Sequence, residues 1–171
     1  MDNLILIGYM GSGKTSVGKQ LACKYGYEFM DTDECIEKKA GMKISDLFQL
    51  HGEENFRRME TQLLKELIGN TQHCIISTGG GMAVRTENVA LLKKLGIVIF
   101  LRVKKETIIS RLEGDTTRPL LAGDELEKKV ETMLKIRTPF YEAAADYILD
   151  TDDYTIEELV EMIYKNQKKE G

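Results

Sequence analysis

The sequence predicts one α/β domain in which helices cover both faces of a parallel β-sheet, a three-layer arrangement. Short apolar runs typical of strands alternate along the chain with longer segments of helical periodicity. The first apolar run leads directly into a glycine-rich turn at residues 8–15 and then into a helical pattern. A chain of 171 residues has the length of one domain with a single sizeable core.

Hydrophobic patterning predicts the individual elements. The apolar runs predict strands at residues 4–7, 28–30, 74–77, 97–101 and 147–149. Apolar residues at helical spacing, such as Val17, Leu21 and Ala22, predict helices at residues 14–25, 44–50, 53–68, 86–95, 105–112, 125–145 and 155–166. Pro139 lies inside the 125–145 pattern and is expected to break or kink that helix.

Two segments are longer than a simple strand–helix–strand connection requires. Residues from about 32 to about 68 form a mostly helical insertion, which predicts a substrate-binding subdomain. Residues from about 113 to about 125 form a polar loop between two helical patterns, and we expect it to act as a lid. The core with residues 8–15, the insertion and the lid would together form one domain over residues 1–171.

Composition excludes several classes of function. With 28 acidic and 24 basic residues, the net charge of −4 gives no support to nucleic-acid binding, although a local basic pocket for an anionic metabolite is compatible with it. Cys23, Cys35 and Cys74 lie far apart without C-x-x-C spacing, so neither a zinc site nor a disulfide framework is indicated. The N-terminus leads straight into a strand and no long apolar span follows, so we expect a cytoplasmic protein without a membrane partner. Nothing in the sequence requires assembly, and we expect a monomer.

Residues 8–15 read G-Y-M-G-S-G-K-T, which fits the phosphate-loop pattern G-x-x-x-x-G-K-[ST] directly after a strand. The glycines let successive backbone N–H groups point at phosphate oxygens, and the N-terminus of the next helix adds a positive dipole. Lys14 can then reach the β- and γ-phosphates, and the Thr15 hydroxyl can ligate Mg²⁺. An ordinary glycine-rich turn would not need all of these residues, so we predict a nucleoside triphosphate site.

Asp31-Thr32-Asp33 lies where the second predicted strand ends and a helix begins. Either aspartate alone could be a helix cap. Two carboxylates beside a bound triphosphate can also divide the chemistry between them. One can lie near Mg²⁺, directly or through water, while the other accepts a proton from an acceptor hydroxyl or orients it. We favour this second interpretation.

The segment S-T-G-G-G at residues 77–81 follows the third predicted strand. Three consecutive glycines permit either close approach of a ligand to the backbone or a turn with positive φ. Because ligands bind at the carboxyl ends of parallel strands, we expect this segment, Asp33 and residues 8–15 to form one site. No acidic residue ends the third strand, so Ser77 or Asp31 would have to serve Mg²⁺.

Arg57 and Arg58 lie on a predicted helix that follows Gly52. Arg57 and Glu60 are three residues apart and share a helix face, so a surface ion pair is one interpretation. The other is an arginine that binds a substrate carboxylate through two hydrogen bonds. Arg57 and Arg58 point in different directions, so only one of them enters a site, and spacing alone leaves both interpretations open.

Three more arginines are candidates. Arg118, followed by Pro119 in the predicted lid, could close over the phosphates and stabilise charge during transfer. Arg111 lies on the helix that leads into the lid and is expected on the nucleotide side, with a solvated position as the alternative. Arg137 lies two residues before Pro139.

Together these segments resemble the shikimate kinases over essentially the whole chain. The shared pattern consists, in order, of the phosphate loop, D-T-D, G-E-x-x-F-R-x-x-E, S-T-G-G-G, R-P-L-L and R-x-P-F-Y. The resemblance implies a P-loop kinase of the nucleoside-monophosphate-kinase type with a five-stranded parallel sheet. It also implies transfer of the γ-phosphoryl group of ATP to the 3-hydroxyl of shikimate, on the route to chorismate and the aromatic amino acids.

The resemblance implies a role for each candidate residue. Asp33 would hold the shikimate hydroxyls and act as base, while Lys14 and Arg118 stabilise the phosphoryl group in transfer. The shikimate pocket would be completed by Arg57, Arg137 and the backbone of Gly79, Gly80 and Gly81, with both arginines binding the carboxylate. ATP would be bound by Gly11, Ser12, Gly13, Lys14, Thr15, Ser16, Arg111 and Arg118. Thr15 and Asp31 would serve Mg²⁺. The sequence after Asp150 departs most from the family pattern, and residues 151–154 do not match the adenine-contacting loop that the resemblance implies.

Two alternatives remain at this point. Another small-molecule P-loop kinase, such as a gluconate kinase, would share the phosphate loop but is not expected to combine D-T-D, F-R-x-x-E and G-G-G. A non-catalytic nucleotide-binding module that controls a partner is the other alternative. A guanine-specific N-K-x-D segment would favour that module, and the sequence contains none.

Overall fold

The computed structural model describes residues 2–114 and 124–168, in which a parallel sheet lies between two layers of helices. In chain order the elements are β1 (Asn3–Ile7), α1 (Lys14–Tyr25), β2 (Glu28–Asp31), α2 (Thr32–Ala40), α3 (Ile44–Leu67), β3 (Cys74–Ser77), a 3₁₀ turn (Met82–Val84), α4 (Thr86–Leu95), β4 (Gly96–Arg102), α5 (Lys105–Glu113), α6 (Asp124–Ala144), β5 (Tyr147–Asp150) and α7 (Ile156–Lys168).

The sheet has five parallel strands, as predicted, and their order is β2-β3-β1-β4-β5. The central strand β1 pairs with β3 and β4, so that Ile5 lies opposite Ile76 on one side and Val98 on the other. Every residue of β1 is buried. This explains its continuous apolar sequence, because a strand covered on both faces has no solvent-facing positions.

Alternate residues of β1 face two separate apolar layers. Ile5 and Ile7 contact the layer formed with α3, α4, α5 and α6, whereas Leu4 and Leu6 contact the layer formed with α1 and α7. The period of two along the strand therefore produces the predicted three-layer arrangement. Within the described part of the chain, no helix is long and apolar enough to cross a membrane.

The insertion after β2 consists of α2 and α3. Asp31 caps α2, whose other end is Gly41 in the left-handed conformation. The predicted helices at 44–50 and 53–68 form a single element, α3, which is interrupted at Gly52 by non-helical backbone (φ 78°, ψ 166°). Glycine can adopt this φ without strain, so the helix changes direction just before the segment that carries Arg57.

Of the break or kink expected at Pro139, the break does not occur, because helix α6 continues to Ala144. Proline removes the hydrogen bond to the carbonyl of Lys135 four residues earlier. Both residues lie on the exposed face, where water can hydrate that carbonyl. The predicted lid at 113–125 falls mainly on residues 115–123, which lie outside the described residues together with Arg118.

Candidate active site

The phosphate loop joins β1 to α1 at the carboxyl edge of the sheet. Gly11 (φ 75°) and Gly13 (φ 88°) adopt left-handed conformations, and Gly13 caps the N-terminus of α1. The Lys14 ammonium donates hydrogen bonds to the carbonyls of Gly8 at 2.8 Å and Tyr9 at 2.9 Å. The loop thus combines backbone amides, a helix N-terminus and a buried ammonium group, which together suit a polyphosphate.

Ser12 and Ser16 occupy different positions in this loop. Ser12 is buried, and its hydroxyl lies 3.3 Å from Lys14 Nζ, so it orients the ammonium group. Ser16, like Gly11, Gly13 and Thr15, lines the cleft described below.

Asp31 is both a helix cap and a neighbour of Thr15. Its Oδ1 accepts hydrogen bonds from the N–H groups of Asp33 at 2.9 Å and Glu34 at 3.3 Å. Its Oδ2 accepts a hydrogen bond from Thr15 Oγ1 at 3.5 Å. The two interpretations of Asp31 are therefore compatible. Asp31 Oδ2 and Thr15 Oγ1 lie side by side and suit a Mg²⁺ ion. Mg²⁺ prefers oxygen ligands and would take its remaining ligands mostly from phosphate and water.

Strand β3 ends in Ser77, at the position where the sequence has no acidic residue for Mg²⁺. Ser77 is buried and lies opposite Asp31 in the β2–β3 register. Ser77, Asp31 and Thr15 all line the same cleft. Ser77 and Asp31, the two residues that the sequence offered for Mg²⁺, are therefore neighbours.

Residues 79–81, called the glycine turn below, face three charged side chains. A Cβ atom on Gly79 would lie 2.6 Å from Asp33 Oδ1, and one on Gly81 would lie 2.3 Å from Arg57 Nη1. A Cβ on Gly80 would lie 3.4 Å from Arg137 Nη1. The positive-φ explanation of this segment is wrong, since none of the three has positive φ. The glycines are needed because charged groups approach the backbone closely.

Arg57 forms a partly buried ion pair. Its Nη1 lies 2.8 Å from Glu60 Oε2 and its Nη2 lies 3.1 Å from Glu53 Oε1. The sequence left a surface pair and a site position open, and Arg57 combines an ion pair with a position in the cleft wall. Arg58 is 76% exposed and pairs with Glu54, so it is the arginine that points away.

Glu60 is fully buried, although the sequence suggested only a partner for Arg57. Burial is the main cause that raises the pKa of its carboxyl from 4.5 to about 7, and the nearby Asp33 carboxylate contributes to the same rise. Arg57 and Arg137 act in the opposite direction. The motif gave the position of this glutamate, but no local pattern showed that α3 buries it against the glycine turn.

Most of these groups line one cleft of about 830 Å³, whereas Ser12 and Arg58 do not. It extends from the phosphate loop to the glycine turn and includes Lys14, Asp33, Arg57 and Arg137. An apolar part of its wall, which the sequence did not indicate, is formed by Met10, Phe48, Phe56 and Met133. The cleft can therefore hold two ligands side by side, a polyphosphate and a small molecule with an anionic group.

Arg111 lies beside the phosphate loop, outside the cleft wall. Its Nη1 donates a 2.6 Å hydrogen bond to the carbonyl of Gly11. The segment after β5, where the sequence departs most from the family pattern, is tied to the start of α5. Asp152 accepts hydrogen bonds from Lys104 N at 3.0 Å and Thr107 Oγ1 at 2.5 Å. Helix α5 therefore connects this segment to the phosphate loop.

The geometry agrees with the result of a comparison with protein families. The family model described as shikimate kinase matches residues 10–168. The chain belongs to the shikimate kinase family. A curated shikimate kinase from Thermodesulfovibrio yellowstonii is 44% identical over 169 residues, covering 99% of this chain and 96% of that protein.

Solved shikimate kinases share the whole fold. The enzyme from Acinetobacter baumannii, solved in complex with shikimate, has a TM-score of 0.90 at 37% identity, covering 99% of this chain and 94% of that one. The enzyme from Bacteroides thetaiotaomicron has a TM-score of 0.88 at 33% identity and covers 98% of both chains. Membership in the shikimate kinase family confirms the predicted α/β fold and the prediction of an ATP-dependent phosphotransferase.

Proposed function

We propose that this chain transfers the γ-phosphoryl group of ATP to the 3-hydroxyl of shikimate. The main support is the arrangement of Asp33, Arg57 and Arg137 around the glycine turn, in the same cleft as the phosphate loop. Two guanidinium groups suit a substrate carboxylate, and an aspartate suits a hydroxyl. The relatives named shikimate kinase support the same substrate.

In this proposal the acceptor carboxylate is bound by Arg57 and Arg137. Glu53 and Glu60 hold the Arg57 guanidinium from two sides, at 3.1 Å and 2.8 Å. Arg137 lies over the ring of Tyr9, 5.7 Å from its centre. Both groups are therefore oriented by the protein itself, which lowers the entropy cost of binding the substrate.

Asp33 is the proposed base. It accepts the proton of the 3-hydroxyl, or orients it when the transition state is loose. The hydroxyl oxygen then bonds to the γ-phosphorus while the bond from that phosphorus to the β–γ bridging oxygen breaks, and ADP leaves. Lys14 stabilises the negative charge on the transferred group, because its ammonium is buried beside the phosphate loop.

The donor side is assigned to the phosphate loop, with Thr15 and Asp31 as the residues that hold Mg²⁺. Mg²⁺, when bound, neutralises charge on the β- and γ-phosphates. Arg111 is proposed on the nucleotide side, and Arg118 is proposed to close over the phosphates from the lid. We propose an enzyme that works as a monomer, since nothing in the sequence requires assembly.

The test is ADP release by the purified protein with ATP and Mg²⁺. We expect turnover with shikimate, little with gluconate or without an acceptor, and loss of turnover with EDTA. Lys14→Ala is the matched control, because it should abolish transfer to any acceptor. Turnover of gluconate but not shikimate would replace the proposal with a gluconate kinase, and turnover of neither would favour a binding module.

A further inference from the structure

Two buried side chains hydrogen-bond the backbone of the glycine turn. The Gly79 N–H donates to Thr32 Oγ1 at 3.0 Å, and the Tyr141 hydroxyl donates to the carbonyl of Gly80. Thr32 is fully buried and Tyr141 is 1% exposed. Neither hydroxyl is part of the proposed chemistry, yet both bond to the segment against which the charged residues pack.

Asn88 provides a third connection. Its Nδ2 donates a 2.9 Å hydrogen bond to the carbonyl of Met82, the residue that follows the glycine turn. Its Oδ1 accepts a 2.7 Å hydrogen bond from the Thr61 hydroxyl on α3. The Met82 N–H in turn donates to the carbonyl of Gly79 at 3.1 Å. Asn88 is fully buried, and both ends of its amide bond to structure around the turn.

These three connections reach the three helices that carry the proposed acceptor-binding residues. Thr32 directly precedes Asp33 on α2. Thr61 lies one helical turn after Arg57 on α3. Tyr141 lies one helical turn after Arg137, the proposed acceptor-binding residue on α6. Each helix is thus tied to the glycine turn within one turn of its own charged side chain.

We propose that Thr32, Asn88 and Tyr141 are positioning residues of the acceptor site, each fixing one of these helices relative to the glycine turn. The inference rests on the proposed function. The tolerances are narrow, because Asp33 and Arg57 approach the turn more closely than a methyl group would permit. A displacement of about 1 Å at a reacting group can cost about 100-fold in rate.

Variants that remove one hydroxyl test this with little change in shape. Tyr141→Phe, Thr32→Val and Thr61→Val each remove one connection, and Thr32→Ser and Thr61→Ser should restore it. Asn88→Ala removes the third connection entirely. If that variant fails to fold, Thr61→Val still separates Asn88 from α3. Tyr27→Phe is the matched control. Tyr27 lies just before β2, at the end of that strand away from Asp31, and its hydroxyl hydrogen-bonds the Gln167 side chain.

We expect kcat/KM for shikimate to fall between about 10-fold and about 100-fold in the hydroxyl-deleting variants. The KM for ATP should stay within about twofold of the unmodified protein, and the serine variants and Tyr27→Phe should behave normally. If the three residues had a merely structural role, the kinetic parameters for shikimate and for ATP would change together, or both would stay unchanged. Either result would overturn the inference.

Amide hydrogen exchange of the ligand-free protein separates this inference from the proposed function. Peptides covering residues 78–84 should exchange faster in Tyr141→Phe, Thr32→Val and Thr61→Val, while peptides of β1 and α1 stay unchanged. If the unmodified protein phosphorylates shikimate and neither exchange nor kinetics changes in the variants, the positioning role is wrong. If it does not phosphorylate shikimate, the proposed function is wrong, and exchange alone decides whether these residues fix the turn.

Discussion

Replacement of Glu60 by glutamine is expected to remove a large pH dependence from the stability of the protein. Glu60 is fully buried, and two opposing effects act on its ionisation. Burial favours the neutral acid, whereas the Arg57 guanidinium at 2.8 Å favours the carboxylate. The balance favours the neutral acid and raises the pKa of Glu60 to about 7.

The sign and size of the effect follow from this pKa. Because the folded protein binds the Glu60 proton more tightly than the unfolded chain does, stability falls as pH rises from about 4.5 to about 7. The contribution of Glu60 to stability is complete below the unfolded-state pKa of 4.5 and is lost above the folded-state pKa of about 7. The difference between 4.5 and about 7 corresponds to about 3 kcal/mol of unfolding free energy.

Urea unfolding between about pH 4 and about pH 8 measures this effect. The chain has no tryptophan, so circular dichroism is the suitable signal. The free energy of unfolding of the unmodified protein, minus that of Glu60→Gln, should fall by about 3 kcal/mol over this range. Glu54→Gln, which changes an exposed carboxylate on the same helix, is the control and should show no such fall. A difference that stays flat or rises with pH would mean that Arg57 outweighs burial, and would refute the reasoning.

Three further predictions concern catalysis. Asp33→Asn should lower kcat between about 100-fold and about 10,000-fold while the KM for ATP stays near normal, and an unchanged kcat would exclude Asp33 as the base. Gly81→Ala should raise the KM for shikimate at least about tenfold, because the new Cβ would lie 2.3 Å from Arg57 Nη1 and displace the guanidinium. Loss of stability without a change in the KM for shikimate would contradict this account. Arg111→Ala should raise the KM for ATP but not that for shikimate, and a normal KM for ATP would return Arg111 to a surface role.

The sequence was sufficient wherever a short pattern has a direct structural consequence. The apolar runs predicted the strands, since each core strand of this sheet is covered on both faces. The phosphate loop could be recognised because a strand, glycines, Lys14 and a helix follow one another within a few residues. Asp33 and the glycine turn could be placed near it, because the carboxyl ends of parallel strands share one edge.

Features that depend on how distant elements pack could not be predicted in this way. The spacing places Glu60 on the same helix face as Arg57, but only the docking of α3 against the glycine turn buries that face. The buried hydrogen bonds of Asn88 join α4 to α3 and to Met82, just after the glycine turn, and no local pattern reveals them. A break or kink was expected at Pro139. The continuation of α6 could not be predicted, because the exposure of that face, which permits hydration of the Lys135 carbonyl, is a property of the tertiary structure.

The most direct test of the proposed reaction is the identity of its product. The protein is incubated with ATP, Mg²⁺ and shikimate, and the phosphorylated product is examined by ³¹P NMR. The proposal predicts one new phosphomonoester whose phosphorus couples to the proton on C3 of the shikimate ring, and no such signal with Asp33→Asn over the same time. A phosphomonoester at another hydroxyl, or only inorganic phosphate from ATP, would contradict it.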